Sequence, residues 1–201
     1  MSKEIYIQKM YNVLIPLTKD FPKESVRVAW EDWLESFHEE HLNKNEFFSR
    51  GGEIGGKLGF ICSGFMRAFH IADNGNEYTK TFFRVGDFVA PLGTLTNKKE
   101  SPIALQTLTK VKLLSAKYDV IEQLLLKHHC LEHATRIMIQ NEWVKKEIRE
   151  IRLVTLSAEE RYKIFLEEYK GLNEIIPWYY IASFLGITPV SLSRIRAKLH
   201  S

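Results

Sequence analysis

The stretch from Ile181 to Arg196 constrains the fold more than any other part of the chain. Two short helical patterns flank a tight turn there. Pro177 suits the first turn of a helix, where its missing N–H costs nothing. Ile181, Ala182 and Leu185 then share one helical face, and Ala182 is small where a second helix would cross closely. Gly186 fits the position just past a helix end, which often takes a positive φ. Thr188 is a good N-cap and Pro189 fits the first helical position after it. Leu192, Ile195 and Leu199 make an apolar stripe on the second helix. Val190, Ser191, Arg194, Ala197 and Lys198 point away from that stripe. Small or polar residues around a long cation suit a helix lying in a major groove, where Arg can bind guanine bidentately and Ser can reach a base or a phosphate. From Gly186 onward Arg194, Arg196 and Lys198 occur with no acidic residue, and such local charge favours phosphate. The spacing predicts a helix-turn-helix with DNA as partner. Spacing alone also fits an ordinary helical hairpin that ends a domain.

The 201 residues allow one or two domains, and a hydrophobic content of 45% supports a sizeable core. A net charge of +3 is compatible with nucleic acid without being diagnostic. Cys62 and Cys130 lie far apart and give no disulfide framework; they are too few for a four-cysteine iron–sulfur or zinc site. No apolar run approaches membrane length. Glu4 comes early, and Pro16 interrupts the run from Val13 to Leu17, so no signal peptide is visible and a cytoplasmic location is expected.

Residues 3–42 read as helical, with Val26, Ala29, Trp30, Trp33, Leu34 and Phe37 at helical spacing after Pro22. After Asn43 the character changes to glycines separated by short apolar runs. Asp73-Asn74-Gly75-Asn76 is a turn between runs 65–71 and 78–85, Gly86-Asp87 marks another, and alternation from Ile103 to Leu114 closes a barrel-like antiparallel set of strands. Helix returns from about Tyr118. Cys130, Ala134, Ile137, Asn141, Val144, Ile148 and Ile151 alternate steps of four and three, the seam of a coiled coil in which Asn141 would fix the register of a parallel dimer. The same row also fits a helix packed on its own barrel. Ser157 and Glu160 form a capping box that opens a further helix, with Tyr162, Phe165, Leu166 and Tyr169 on its apolar side.

Ser63-Gly64-Phe65-Met66-Arg67, Gly86-Asp87-Phe88-Val89 and the stretch from Ile181 to Arg196 follow one another in an order that resembles the Crp/Fnr superfamily of bacterial transcription regulators. The likeness spans nearly the whole chain. It implies an α+β fold: an antiparallel jelly-roll-like β-barrel with flanking helices, a long dimerisation helix and a C-terminal helix-turn-helix. The domains expected are 1–125 (N-terminal helices and sensor barrel), 126–154 (dimerisation helix) and 155–201 (DNA-binding domain). The resemblance implies a homodimer on a near-palindromic operator in double-stranded DNA, its recognition helices about 34 Å apart. RNA polymerase is a further candidate partner, and no catalysis is implied. The residues expected at DNA are Thr188, Val190, Ser191, Ser193, Arg194, Arg196 and Lys198, and those expected at the dimer seam are Ala134, Ile137, Asn141, Val144 and Ile148.

Several positions depart from the family pattern. Members that bind cyclic nucleotides use a glutamate for the ribose hydroxyl and an arginine for the cyclic phosphate. Counting on from Gly86, those positions fall on Pro91 and Ser101. Proline offers no side-chain acceptor, serine offers no charge to a buried phosphate, and Glu100 would repel an anion. The neighbouring lysines Lys98 and Lys99 read as a solvated turn. The cassette therefore reads as degenerate: cAMP and cGMP are not expected to bind. The effector stays open between another small molecule, a barrel filled by its own side chains, and none; no cofactor is expected, and nothing argues for haem. In the recognition helix Pro189-Val190 replaces the usual pair ending in glutamate, which leaves Arg194 as the main expected base reader, Ser191 beside it, and Val190 for a thymine methyl. Ser201 follows Leu199 closely, so a full β-hairpin wing is not expected.

Other constellations point to different chemistry. His128, His129, Cys130 and His133 cluster, and His129 and His133 have metal-binding spacing, but no third ligand is evident and no metal is expected. His38 and His41, beside Glu39 and Glu40, read as a solvated helix end. A cupin-type metalloenzyme needs clustered inward histidines, whereas residues 47–114 contain only His70. No Ser-His-Asp or Cys-His arrangement and no P-loop is visible, so an enzyme is not expected. A degenerate member that dimerises and binds a small molecule or protein, but not DNA, is the alternative.

Overall fold

The computed structural model describes residues 3–200. Met1, Ser2 and Ser201, on which the expectations about a leader and a wing partly rest, lie outside the described residues. The chain opens with α1 (Lys3–Leu14), a 3-10 turn (Ile15–Thr18) and α2 (Lys23–Glu35). Eight strands follow: β1 (His38–Leu42), β2 (Phe47–Ser49), β3 (Lys57–Ser63), β4 (Met66–Ile71), β5 (Glu77–Phe83), β6 (Phe88–Val89), β7 (Ala104–Thr107) and β8 (Val111–Lys117), with α3 (Leu92–Asn97) between β6 and β7. Then come α4 (Tyr118–Lys127), α5 (His129–Thr155), α6 (Ala158–Glu168), α7 (Leu172–Ile175), α8 (Trp178–Leu185) and α9 (Pro189–His200). The fold is α+β, the jelly-roll class expected.

The strands form two four-stranded sheets, ordered β1-β8-β3-β6 and β2-β7-β4-β5. Their edges stay open, so among the described residues no closed barrel forms. Gly64 explains the Ser63–Arg67 motif physically. Its φ is +88°, and a Cβ there would run into the Lys110 carbonyl oxygen and lie 2.7 Å from Thr109 Oγ1. The tight turn lets the Phe65 N–H donate to Thr109 Oγ1 at 3.0 Å and the Phe65 carbonyl accept from Leu108. Arg67 follows, 1% exposed, with Nε and Nη2 donating to Gln106 Oε1 across the sheet.

Two expectations change. Helix does not run on to residue 42: α2 ends at Glu35, where the Ser36 hydroxyl donates to the Trp33 carbonyl, and His38–Leu42 is strand β1. The strand was hidden because it is polar. Its stability comes from register against β8, with Ser115 Oγ bonded to His38 Nε2 and Glu40 Oε2, and Lys57 Nζ 2.7 Å from Glu40 Oε1. Helix after Tyr118 is broken at His128, which leaves helical geometry (φ −121°, ψ 99°) and holds Asp32 Oδ2 with Nε2 at 2.6 Å.

The chain divides into two compact units. One comprises residues up to Ala68 and Phe82–Gln140; the other comprises Phe69–Thr81 and residues from Asn141 onward. In the first unit, one core gathers Tyr6, Met10 and Leu14 of α1, Ala29 and Trp33 of α2, Phe60, Leu114, Ile121, Cys130 and Ala134; a second cluster joins Phe48, Ile61, Met66, Leu105 and Leu113. In the second unit, Tyr162, Phe165, Leu172, Ile181, Ala182, Leu185 and Leu192 are among the buried residues. No described helix is long and apolar enough to cross a membrane.

Candidate nucleic-acid interface

Helices α8 and α9 arise as the sequence dictates. Pro177 precedes the first helical residue of α8, just outside the position expected for it. Gly186 ends α8 in the left-handed region at φ 70°, its N–H bonding Ser183 and the Ile187 N–H bonding Ala182 at 3.0 Å, a Schellman-type stop that only glycine makes without strain. Thr188 caps α9: its Oγ1 accepts from the Ser191 N–H at 3.1 Å and lies 3.0 Å from the Ser191 hydroxyl. Leu192 is fully buried, and Ala182, also fully buried, allows the close crossing.

Three contacts that the sequence reading missed fix this helix pair. The guanidinium of Arg149 donates to the Phe184 carbonyl at 2.8 Å and lies over the Phe184 ring. That of Arg161 donates to the Leu185 carbonyl at 3.2 Å and to Leu156. Two cations thus satisfy carbonyls at the C-terminal end of α8, where helix geometry leaves acceptors open. Burial depresses the pKa of Arg149 despite opposing help from Tyr169 and Glu150. Third, Ser183 Oγ donates to the Glu77 carbonyl at 2.9 Å and accepts from the Thr79 N–H at 2.8 Å, so one hydroxyl completes two main-chain groups of edge strand β5. Apart from Leu156, these partners lie 24 to 106 residues away in sequence, beyond any local pattern.

The residues expected at DNA do not all share one situation. Val190 is 62% exposed, and Ser193 and Arg194 are exposed. Among the described residues Arg194 makes no intrachain ion pair. Thr188 and Ser191 are tied to each other at the cap. Lys198 Nζ lies 2.7 Å from Glu159 Oε2, and Glu159 also holds Lys163; those two hydrogen bonds lower its carboxyl to about 2. Arg196 turns inward. Four residues after buried Leu192, it occupies the flank of the apolar stripe, with its guanidinium carbon 3.3 Å from the centre of the Trp178 ring.

The seam of α5 divides in two. Ala134 is completely buried in the core of its own chain and Cys130 nearly so, and the row available to a partner begins only at Ile137. Asn141, Val144, Ile148 and Ile151 are exposed beyond it. In the cassette, Gly86 takes φ +96° and its N–H donates to Ile61. Pro91 is buried at the start of α3, where a Cβ on Gly55 would lie 2.5 Å from its Cγ. Ser101 is 3% exposed, and its hydroxyl donates to the Ile103 carbonyl at 2.8 Å within its own loop.

The remaining chemistry-bearing side chains are engaged elsewhere. His128 holds Asp32, while His129 and His133 pack edge-on against Phe21. His70 sits on β4 and is exposed. Burial pushes the Cys62 thiol up to about 11 and the Cys130 thiol upward, so neither is poised as a nucleophile.

Residues 39–128 match the cyclic nucleotide-binding domain family. No curated protein sequence matches the chain. Among solved structures, the c-di-GMP responsive global regulator CLP of Xanthomonas campestris aligns with a TM-score of 0.70 at 18% identity, over 87% of this chain and 91% of that one. FixK2 of Bradyrhizobium japonicum aligns with a TM-score of 0.72 at 18% identity, over 82% and 84%. A Crp/Fnr-family transcriptional regulator of Eubacterium rectale aligns with a TM-score of 0.70 at 16% identity, over 92% and 86%. Residues 39–128 are thus similar to a cyclic nucleotide-binding domain, and the chain shares the fold of these solved structures. The Xanthomonas and Eubacterium proteins are both named as regulators.

Proposed function

We propose that this Crp/Fnr-type chain is a homodimeric, cytoplasmic, sequence-specific DNA-binding transcription regulator. The observation that carries the reading is the α8–turn–α9 pair, whose capped second helix presents Val190, Ser193 and Arg194 to solvent above a buried Leu192. A helix with its outward face small, polar and cationic can enter a major groove and meet base edges. The exposed apolar row of α5 supplies the dimer seam, and a two-fold dimer matches a near-palindromic site.

The effector of this reading is not cAMP or cGMP. Buried Pro91 gives a ribose hydroxyl no acceptor, and Ser101 spends its hydroxyl on Ile103 and brings no charge for a phosphate. That the Xanthomonas neighbour in fold is c-di-GMP responsive supports a jelly roll of this kind serving other effectors, or none. Titration calorimetry with cAMP should give no micromolar or tighter isotherm; such an isotherm would overturn this part.

Selection from a random DNA pool with purified protein and no ligand tests the whole reading. Enrichment of a two-fold symmetric motif, lost steeply with added salt, is expected. The absence of any enriched sequence would instead favour a dimer that binds a small molecule or protein. The engagement of Lys198 by Glu159 and of Arg196 by Trp178 is what favours that second reading.

A further inference from the structure

Arg196 has an unusual surrounding for an arginine on a DNA-reading helix. Its guanidinium carbon lies 3.3 Å from the centre of the Trp178 ring, which is stacking distance over the face. Its Nε and Nη1 are buried and have no hydrogen-bond acceptor. The indole face is therefore the partner that compensates those two nitrogens. Trp178 is the first residue of α8 and is 47% exposed, so the ring lies over the arginine at the surface of the helix pair. Position along the helix agrees. Arg196 follows buried Leu192 by four residues and shares its side of α9, whereas Arg194 follows by two and points away.

We propose that Trp178 and Arg196 form a cation–π clamp that sets the angle between α8 and α9, and that Arg196 is a positioning residue rather than a DNA contact. The inference rests on the DNA-binding reading for its consequence, not for its geometry. A planar guanidinium stacks flat on an indole, while an ammonium, a compact and strongly hydrated point charge, is drawn to the ring face without stacking and holds it more weakly. Lysine and arginine are both adequate phosphate contacts, so Arg196→Lys separates the roles. With Arg196 withdrawn, base reading narrows to Arg194, Ser193 and Val190.

Two measurements on the full chain decide the matter. The first needs no DNA. The Arg196 side-chain NMR signals, identified by their loss in Arg196→Lys, should lie upfield of those of Arg194 through the indole ring current. Trp178→Leu should abolish that displacement and speed amide exchange along α9. Unshifted Arg196 signals in the wild type overturn the clamp. The second measures affinity for the selected site against salt. Arg196→Lys should bind about tenfold more weakly with the salt slope unchanged, and Trp178→Phe should recover part of the loss that Trp178→Leu causes. Wild-type affinity for Arg196→Lys overturns the proposal, and so does a slope reduced by about one in Arg196→Gln. If the wild type binds no DNA, the functional reading fails, and the clamp is judged on ring current and exchange alone.

Discussion

Arg194 is the residue expected to discriminate bases, and among the described residues it makes no ion pair. It is exposed, and the other cations of α9 are engaged, Arg196 by Trp178 and Lys198 by Glu159. Arg194→Ala should therefore cost about 1–3 kcal/mol at the selected site and relax preference at one base pair. Binding curves on single-base variants check it: a uniform loss across all sequences would make Arg194 a phosphate contact only. Glu159 gives a pH prediction. Lys198 and Lys163 hold its carboxyl at about 2, below its ordinary value of 4.5. A depressed carboxylate contributes stability that is fully present above 4.5 and is lost as pH falls through 2. The NMR titration of the Glu159 side-chain carboxyl should have its midpoint near 2. A midpoint close to 4.5 would mean that the Lys198 pair does not persist in solution.

At the scale of elements, Gly64 is the sharpest test of why a short motif is glycine. Any Cβ there meets the Lys110 carbonyl oxygen and Thr109 Oγ1 while φ is held at +88°. Gly64→Ala should destabilise the first unit by at least about 1–3 kcal/mol from backbone strain, before the clash is counted. Thermal denaturation followed by circular dichroism reads it, and an unchanged midpoint would contradict the turn geometry. Elements of this kind were legible because their cause is local: Gly75 in the β4–β5 turn, Gly186 after α8, the Thr188 cap, and the Ser157–Glu160 capping box. Strand β1 was illegible because His38–Leu42 has no apolar alternation and is stabilised by partners 75 and 77 residues away. The break at His128 escaped for the same reason, since the group that engages its imidazole is Asp32, 96 residues distant. Arg196 was legible in principle. Its four-residue spacing from Leu192 marks the inner flank of α9, yet charge drew it into the expected DNA set.

For the molecule as a whole, the open question is what covers α5. Single exposed apolar residues are normal on protein surfaces, but a row along one helix face is not. Val144 is 50% exposed, Ile148 42% and Ile151 59%, in continuation of half-buried Ile137. The seam read from sequence began at Cys130; burial of Cys130 and Ala134 in their own core shortens it and moves its centre toward Val144 and Ile148. Two such rows back to back would bury each other at coiled-coil spacing, and Asn141 within the row would favour one register over its alternatives. Ile148→Lys introduces a charge at that centre, at a position that is itself exposed. Sedimentation equilibrium should report a dimer for the wild type and a monomer for Ile148→Lys, with the helical signal and melting of each unit retained. Loss of the dimer should also convert tight binding at a two-fold site into weak binding at single half-sites, because each recognition helix then binds alone. A variant that remains dimeric would place the interface elsewhere and leave the α5 row to a different partner.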